Sequence, residues 1–263
     1  MKPLAIDLFC GLGGWTEGLL AEGYYVVGFD IERHDYGTGG YPAQLVLQDA
    51  MTLHGRQFKD AALIVASPPC QEFSYMAMPW SKAKAKERDL LEGRDDPKRL
   101  TALFDACFRI QREAIEAAGH FIPLVVENVR GAQKWVGRSR WNYGSFHLWG
   151  DVPALMPPAR KVSKTIGHVN RRDGHTHTRH LTNQAESDGV KQPGIGGLRT
   201  NGKGDAWFQD GAATHGSKSP ARKAASATIA KIPLPLARHI ARYWIPTAEQ
   251  PIESYIEVRA GCE

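Results

Sequence analysis

With 263 residues, 42% hydrophobic and 23% charged, the chain has the make-up of a soluble globular protein, sized for one large α/β domain or a large domain with a small insert. Its net charge of +5 suggests an anionic partner. No apolar run approaches the roughly 20 residues of a membrane span, the opening "MKPLAIDLFCGLGG" is apolar too briefly for a signal peptide, and four cysteines without a C-x-x-C pair exclude a zinc or disulfide framework, so a reducing, cytoplasmic setting is expected.

Strand-like and helix-like segments alternate through the first half. "LAIDLF" (4–9) reads as a strand, and the glycines of "CGLGG" turn the chain into a helix over 14–22. "YYVVGFD" (24–30), "AQLVLQD" (43–49) and "AALIVAS" (61–67) read as three further strands. Residues 75–99 are polar and irregular. A helix follows, with Leu100, Leu103, Phe104, Cys107, Ile110, Gln111, Ala114 and Ala118 at three- and four-residue spacing, all apolar but Gln111. "PLVVENV" (123–129) is another buried strand. This alternation predicts a doubly wound parallel sheet, an α/β fold.

The texture changes near residue 151. From there to 223 the chain carries twelve Lys or Arg against six Asp or Glu, a larger excess than the whole chain's +5, with little apolar periodicity. "PLPLARHIARYW" (233–244) then reads as an amphipathic helix. The expected division is a main domain over 1–150, a basic region over 151–223, and a return over 224–263.

Two groups of residues carry chemistry. A Gly-rich turn between strand and helix lets a ligand approach the backbone, and Asp30 at the next strand's end can bond both hydroxyls of a ribose. With Asp49 at a third strand's end, able to accept from an adenine amino group, the set fits an adenosine-type ligand. The turn lacks the full G-x-G-x-x-G, which argues against a nicotinamide cofactor. The second group is "ASPPCQEFS" (66–74), where two prolines present Cys70 on a stiff turn at a strand end, and "ENV", which puts Glu127 at the next. Either alone reads as an inert cysteine or a capping acid; together they read as a thiol nucleophile and an acid sharing one site.

The motifs "DLFCGLGG", "FDIE", "QDA", "PPCQEFS" and "ENV", in this order, resemble those of the DNA (cytosine-5)-methyltransferases. The resemblance covers residues 4–150 well and the last helix loosely. It implies a Rossmann-like, S-adenosylmethionine-dependent sheet with a small basic target-recognition insert. It also implies that Cys70 attacks C6 of a flipped-out cytosine, Glu127 stabilises the charge at N3, and Arg138 and Arg140 hold the base and its phosphate. Asn128 would support the turn carrying Glu127. Asp7, Phe9, Gly11, Gly13, Asp30, Ile31, Asp49 and Pro68 would cradle the cofactor. Residues 75–99 would form the loop that closes over the substrate. Ser74, Lys82 and Lys84, with Arg171, Arg172 and Arg179 of the basic region, would meet double-stranded DNA. His175, His177 and His180 in "HTHTRH" lack a nearby cysteine, so no metal is expected. The resemblance further implies a monomer, with a restriction endonuclease as a possible genetic partner.

Two departures from that pattern stand out. The family's Q-x-R-x-R falls here as "GRSRW", only eight residues after Val129 and with Val136 in place of the glutamine. The family's C-terminal asparagine falls on Ala230 or Lys231, which raises the hypothesis that Lys231 pairs with a carboxylated S-adenosylmethionine; otherwise it would face DNA phosphate. The same chemistry on RNA, and a non-catalytic DNA-binding relative, are the alternatives to DNA methylation.

Overall fold

A computed structural model describes residues 2–35, 39–70, 73, 84–85, 88–89, 92–94, 96–156, 164–169, 176–182 and 220–246. The first half alternates as expected: β1 (Leu4–Leu8), α1 (Gly14–Ala21), β2 (Tyr25–Asp30), β3 (Gln44–Leu47), β4 (Ala61–Ala66), α2 (Pro97–Ala118) and β5 (Leu124–Asn128). A short helix, α3 (Gln133–Val136), leads to β6 (Trp141–Tyr143) and β7 (Phe146–Gly150). Strands β8 (Lys164–Val169) and β9 (Thr176–Thr182) pair antiparallel with each other. Helices α4 (Pro220–Ala230) and α5 (Leu234–Trp244) follow.

The seven-stranded sheet has the order β3-β2-β1-β4-β5-β7-β6. β1 to β5 are parallel, whereas β7 runs antiparallel to both β5 and β6. The purely parallel sheet expected from the alternation is therefore corrected at one edge. The cause is local: two residues, Gly144 and Ser145, join β6 to β7, and Gly144 adopts φ 60°, the left-handed geometry that a tight hairpin requires.

The alternating period of the strands feeds two cores. Ile6, Leu8, Ile64, Leu124 and Val126 face α2, whose Phe104, Cys107, Ile110 and Ala114 complete that layer. Ala5, Val26, Leu63, Val65 and Val125 face the other way, against Trp15 and Leu19 of α1 and Leu236, Ala237 and Ile240 of α5. α2 is capped at both ends: the Asp96 carboxylate accepts from the Lys98 N–H at 2.9 Å, and Gly119 closes it in the left-handed conformation. Gln111, the polar exception in its apolar stripe, donates to the Ile122 carbonyl (2.9 Å) and to Asp151 (2.7 Å). Asp151 in turn accepts from the Leu124 N–H at 3.0 Å, so the chain remains part of the sheet layer through this residue.

α5 lies close on α1. A Cβ at Gly18 would overlap Ala237, and Glu22 holds both Arg238 and Arg242. Gly18→Ala is therefore expected to destabilise the fold by about 1–3 kcal/mol through overpacking, against an intrinsic helix gain of about 1 kcal/mol. Urea unfolding would show this as a lower midpoint with an unchanged slope.

Candidate functional site

In a sheet of this order the chain reverses direction between β1 and β4, and a crevice opens beyond the strands' carboxyl ends. Five strands deliver residues to that edge. Phe9, directly after β1, has φ 57°, which is uncommon for a residue with a side chain. Gly11 follows at φ 50° with nothing within 4 Å of where a Cβ would sit, so its backbone is open to a ligand. Its N–H donates to Asp30 at 2.9 Å.

Asp30 ends β2. Burial works against its charge, but His34 (3.3 Å) and the N–H groups of Gly11 and Glu32 hold its carboxyl below the usual range. It is thus an anion at any physiological pH. Beside it Ile31 is 73% exposed, and Leu47 and Met51 are exposed at the same sheet end. Asp49 is exposed and accepts from the Met51 N–H at 2.9 Å. A fixed carboxylate, an open glycine backbone and bare apolar side chains together fit a nucleoside, with the ribose on Asp30 and the ring against Ile31.

Two of the expected cradle residues serve elsewhere. Asp7 is fully buried, accepts from the Thr16 hydroxyl at 2.7 Å, and its other oxygen has no hydrogen-bond partner among the described residues. Burial raises its pKa to about 7. It faces α1 rather than the crevice, because β1 points odd-numbered side chains that way. Gly13 is glycine for packing: its Cβ would sit 2.7 Å from Pro42, whose neighbour Tyr41 bonds Thr16 and covers Gly28. Tyr41, His34 and Trp15 were not anticipated; the Gly-Gly-Tyr-Pro run of residues 39–42 was the available signal for the first.

Across the switch point, β4 ends at Ala66 and leads through Ser67 and the buried Pro68 to Cys70, which is partly exposed. On neighbouring β5 the register pairs Ala66 with Val126, so Glu127 emerges one residue above, level with Ser67. The Asn128 amide donates to the Pro68 carbonyl at 3.0 Å, and its carbonyl accepts from the Val129 N–H at 2.8 Å. Asn128 therefore ties the proline turn to β5, supporting the cysteine's turn as well as its own strand's exit.

Glu127 is 9% exposed, and burial pushes its carboxyl up to about 8, opposed by a hydrogen bond from Ser67. Ser67 in turn accepts from Trp15 Nε1 at 3.0 Å, so its hydroxyl proton is free to face the acid. Burial, then the charge of Glu127, raises Cys70 to about 11. The pair is close enough to feel each other, and near neutrality it rests as a protonated acid beside a protonated thiol.

Arg138 and Arg140 do not join this pair. They line a cavity with α2 and β7 whose lining includes neither Cys70 nor Glu127. Lys231 donates to Glu17 of α1 at 2.6 Å, so its charge is already matched and neither the extra donor carboxylate nor a phosphate is needed to explain it. Ser74, Lys82, Arg171, Arg172 and His175 lie outside the described residues, as does most of the closing loop. The side chains of His177, Arg179 and His180 are likewise outside them, and Lys84 is exposed. No helix among the described residues is long and apolar enough to cross a membrane.

Residues 4–134 match the profile of the C-5 cytosine-specific DNA methylases. Among solved structures, the chain resembles a putative DNA modification methyltransferase encoded in an Escherichia coli prophage, at 22% identity over 50% of this chain and 33% of that one, with a TM-score of 0.32. It also resembles Spodoptera frugiperda DNMT2, at 18% identity over 51% and 37% with a TM-score of 0.32. For the Entamoeba histolytica methyltransferase EhMeth the values are 18%, 52% and 41%, with a TM-score of 0.35. The chain thus spans between a third and about two fifths of those proteins' length. No curated protein sequence matches it.

Proposed function

Since residues 4–134 make this chain a member of the C-5 cytosine-specific DNA methylase family, we propose that it methylates C5 of cytosine in double-stranded DNA through a covalent bond to Cys70. The observation that carries this reading is the meeting of Cys70 and Glu127 at the ends of adjacent parallel strands, fastened by the Asn128–Pro68 hydrogen bond. S-adenosylmethionine, when bound, supplies an electrophilic methyl group. Asp30 would hold its ribose, the Gly11 backbone would lie along it, and Ile31 would cover its adenine.

The cytosine must first leave the helix, at a cost of a few kcal/mol. The Cys70 sulfur then adds to C6 as a thiolate, and the electron pair of the C5–C6 bond moves into the ring. Glu127 gives its proton to N3, so the ring remains neutral. C5 gains the methyl group and becomes saturated. Loss of the C5 proton to a base then re-forms the double bond and expels the thiolate, while N3 returns its proton to Glu127. A carboxyl with a pKa near 8 suits this exchange, since it holds a proton at neutral pH and gives it up readily.

Nucleoside mass spectrometry on unmodified DNA incubated with S-adenosylmethionine tests the reaction. 5-Methylcytosine is expected with the wild type and absent with Cys70→Ser, and DNA containing 5-fluorocytosine should trap a covalent complex. Transfer to RNA in preference to DNA, or binding without transfer, would overturn the reading. Asp30→Ala is expected to weaken S-adenosylhomocysteine about 10- to 100-fold in calorimetric titration, the worth of hydrogen bonds to a charged group.

A further inference from the structure

Two strands and a helix meet behind Glu127. Val65 on β4 and Val125 on β5 both point into the core beneath α1 and α5, so side-chain alternation turns Ser67 and Glu127, two residues on, toward that same side. The register sets the two level with each other on adjacent strands. From the helix side the buried Trp15 reaches in, and its indole Nε1 donates to the Ser67 hydroxyl oxygen at 3.0 Å. The acid thus has a hydroxyl beside it, and the hydroxyl has a fixed neighbour behind it.

These parts are seated tightly. The Ser67 N–H donates to the Leu8 carbonyl at 3.1 Å, which extends the sheet one residue past β4. A Cβ on Gly14 would lie 2.4 Å from the Ile232 backbone nitrogen, so the start of α1 is pressed against the chain that follows α4. Thr16, next after Trp15, donates to Asp7 at 2.7 Å and ties the same turn to β1. An indole N–H can only donate, so Ser67 accepts from it and keeps its own proton for another acceptor. Glu127 is the acceptor level with it, and the bond from Ser67 opposes the effect of burial on that carboxyl.

We propose that Ser67, held by Trp15, is a positioning residue for Glu127: it donates to one carboxyl oxygen and so leaves the acid's proton on the other, facing the cytosine. This rests on the function proposed above. When Glu127 protonates N3 it becomes a buried carboxylate, and the bond from Ser67 becomes charge-assisted, roughly twice as strong as one between neutral groups. The hydroxyl therefore favours the state after proton transfer over the state before it, which is the condition for speeding that step. The proton returns to Glu127 when the thiolate leaves, and Ser67 keeps its own throughout. Cys70 is the titratable group that feels the charge of Glu127. Asp7 lies on the same side two strands away, and His147, opposite Asn128 on β7, faces the other side of the sheet.

The test uses Ser67→Ala and an NMR titration of carboxyl-labelled glutamate, with the Glu127 signal assigned by its loss in Glu127→Gln. The Glu127 midpoint, about 8 in the wild type, should rise by about one to two units in Ser67→Ala, because the lost bond favours the ionised form. With DNA and S-adenosylmethionine at neutral pH, kcat should fall about 10- to 100-fold, the worth of a hydrogen bond to a charged group, while KM for S-adenosylmethionine stays unchanged. The break in the pH–rate profile should move up by the same step as the midpoint. Trp15→Phe, which keeps the hydroxyl but frees it to turn, should move the midpoint the same way by less. An unchanged midpoint in Ser67→Ala, or a shifted midpoint with an unchanged rate and pH break, would overturn the role of Ser67. If the wild type transfers no methyl group, the function proposed above fails, and the carboxyl titration still decides whether Ser67 holds this acid.

Discussion

Cys70→Ser is expected to abolish methyl transfer, and Glu127→Gln to lower kcat/KM by about 10²- to 10⁴-fold, the usual worth of a positioned general acid. The pH dependence separates their roles. The productive state needs Glu127 protonated and Cys70 ionised. Below about pH 8 the acid is protonated, so the rate should rise tenfold per unit with the thiolate fraction. Between about 8 and 11 the acid empties as fast as the thiolate fills, and the rate should be level. In Glu127→Gln the acid limb is gone, and so is the charge that helps raise the thiol. Its much lower rate should therefore keep climbing past pH 8, levelling at the thiol's own reduced pKa. A break near pH 8 that survives in Glu127→Gln would remove the acid from the mechanism.

The second large effect is on stability. Asp7 and Glu127 both have raised pKa values in the folded chain, at about 7 and about 8, against ordinary values of 3.8 and 4.5. The folded state therefore holds more protons than the unfolded one between roughly pH 4 and 8, and stability must fall as pH rises through that window. Each pKa unit corresponds to about 1.4 kcal/mol, so the two acids together set an upper limit of about 9 kcal/mol on this loss. Asp30, Glu22 and Glu113 act in the opposite sense: their lowered values give stability that is lost as pH falls through the acid range. Greatest stability is expected near pH 4, at the acid end of that window, with a lower melting temperature at pH 8.5. Asp7→Asn combined with Glu127→Gln should flatten the alkaline side. An equally steep decline in the double variant would show that other groups govern it.

The placement of Cys70 and Glu127 beyond neighbouring strand ends was legible in the sequence, because the segments that set it are short and local. A proline pair can only stiffen a turn, and an apolar run ending in Glu-Asn can only deliver that acid at a strand end. Gln111, the polar break in an apolar stripe, was visible too, although its partners Ile122 and Asp151 come from elsewhere in the chain. What the sequence concealed depends on facing and register. Asp7 and Asp30 each sit at or near a strand's end, yet one lies beneath α1 and the other opens to the crevice, a difference set by side-chain alternation. Arg138 and Arg140 were placed by analogy of spacing, and the β6–β7 hairpin carries that loop to the flank of α2 instead. The hairpin's signal was present in "NYGSF", a glycine between aromatic residues, but it was masked by an expectation of parallel strands.

The seating of α5 on α1 has a consequence for how the protein is made. Trp15 and Leu19 share a core with Ile232, Leu236 and Ile240, and Tyr24 donates its hydroxyl proton to the carbonyl of Ala241, 217 positions later. During synthesis the earliest helix must wait for the last described one before its apolar face is covered. At roughly 5 to 20 residues per second that delay is on the order of ten to forty seconds. The basic stretch emerges within the same interval. A chain ended before α5 would thus be left with an open core rather than a folded first half.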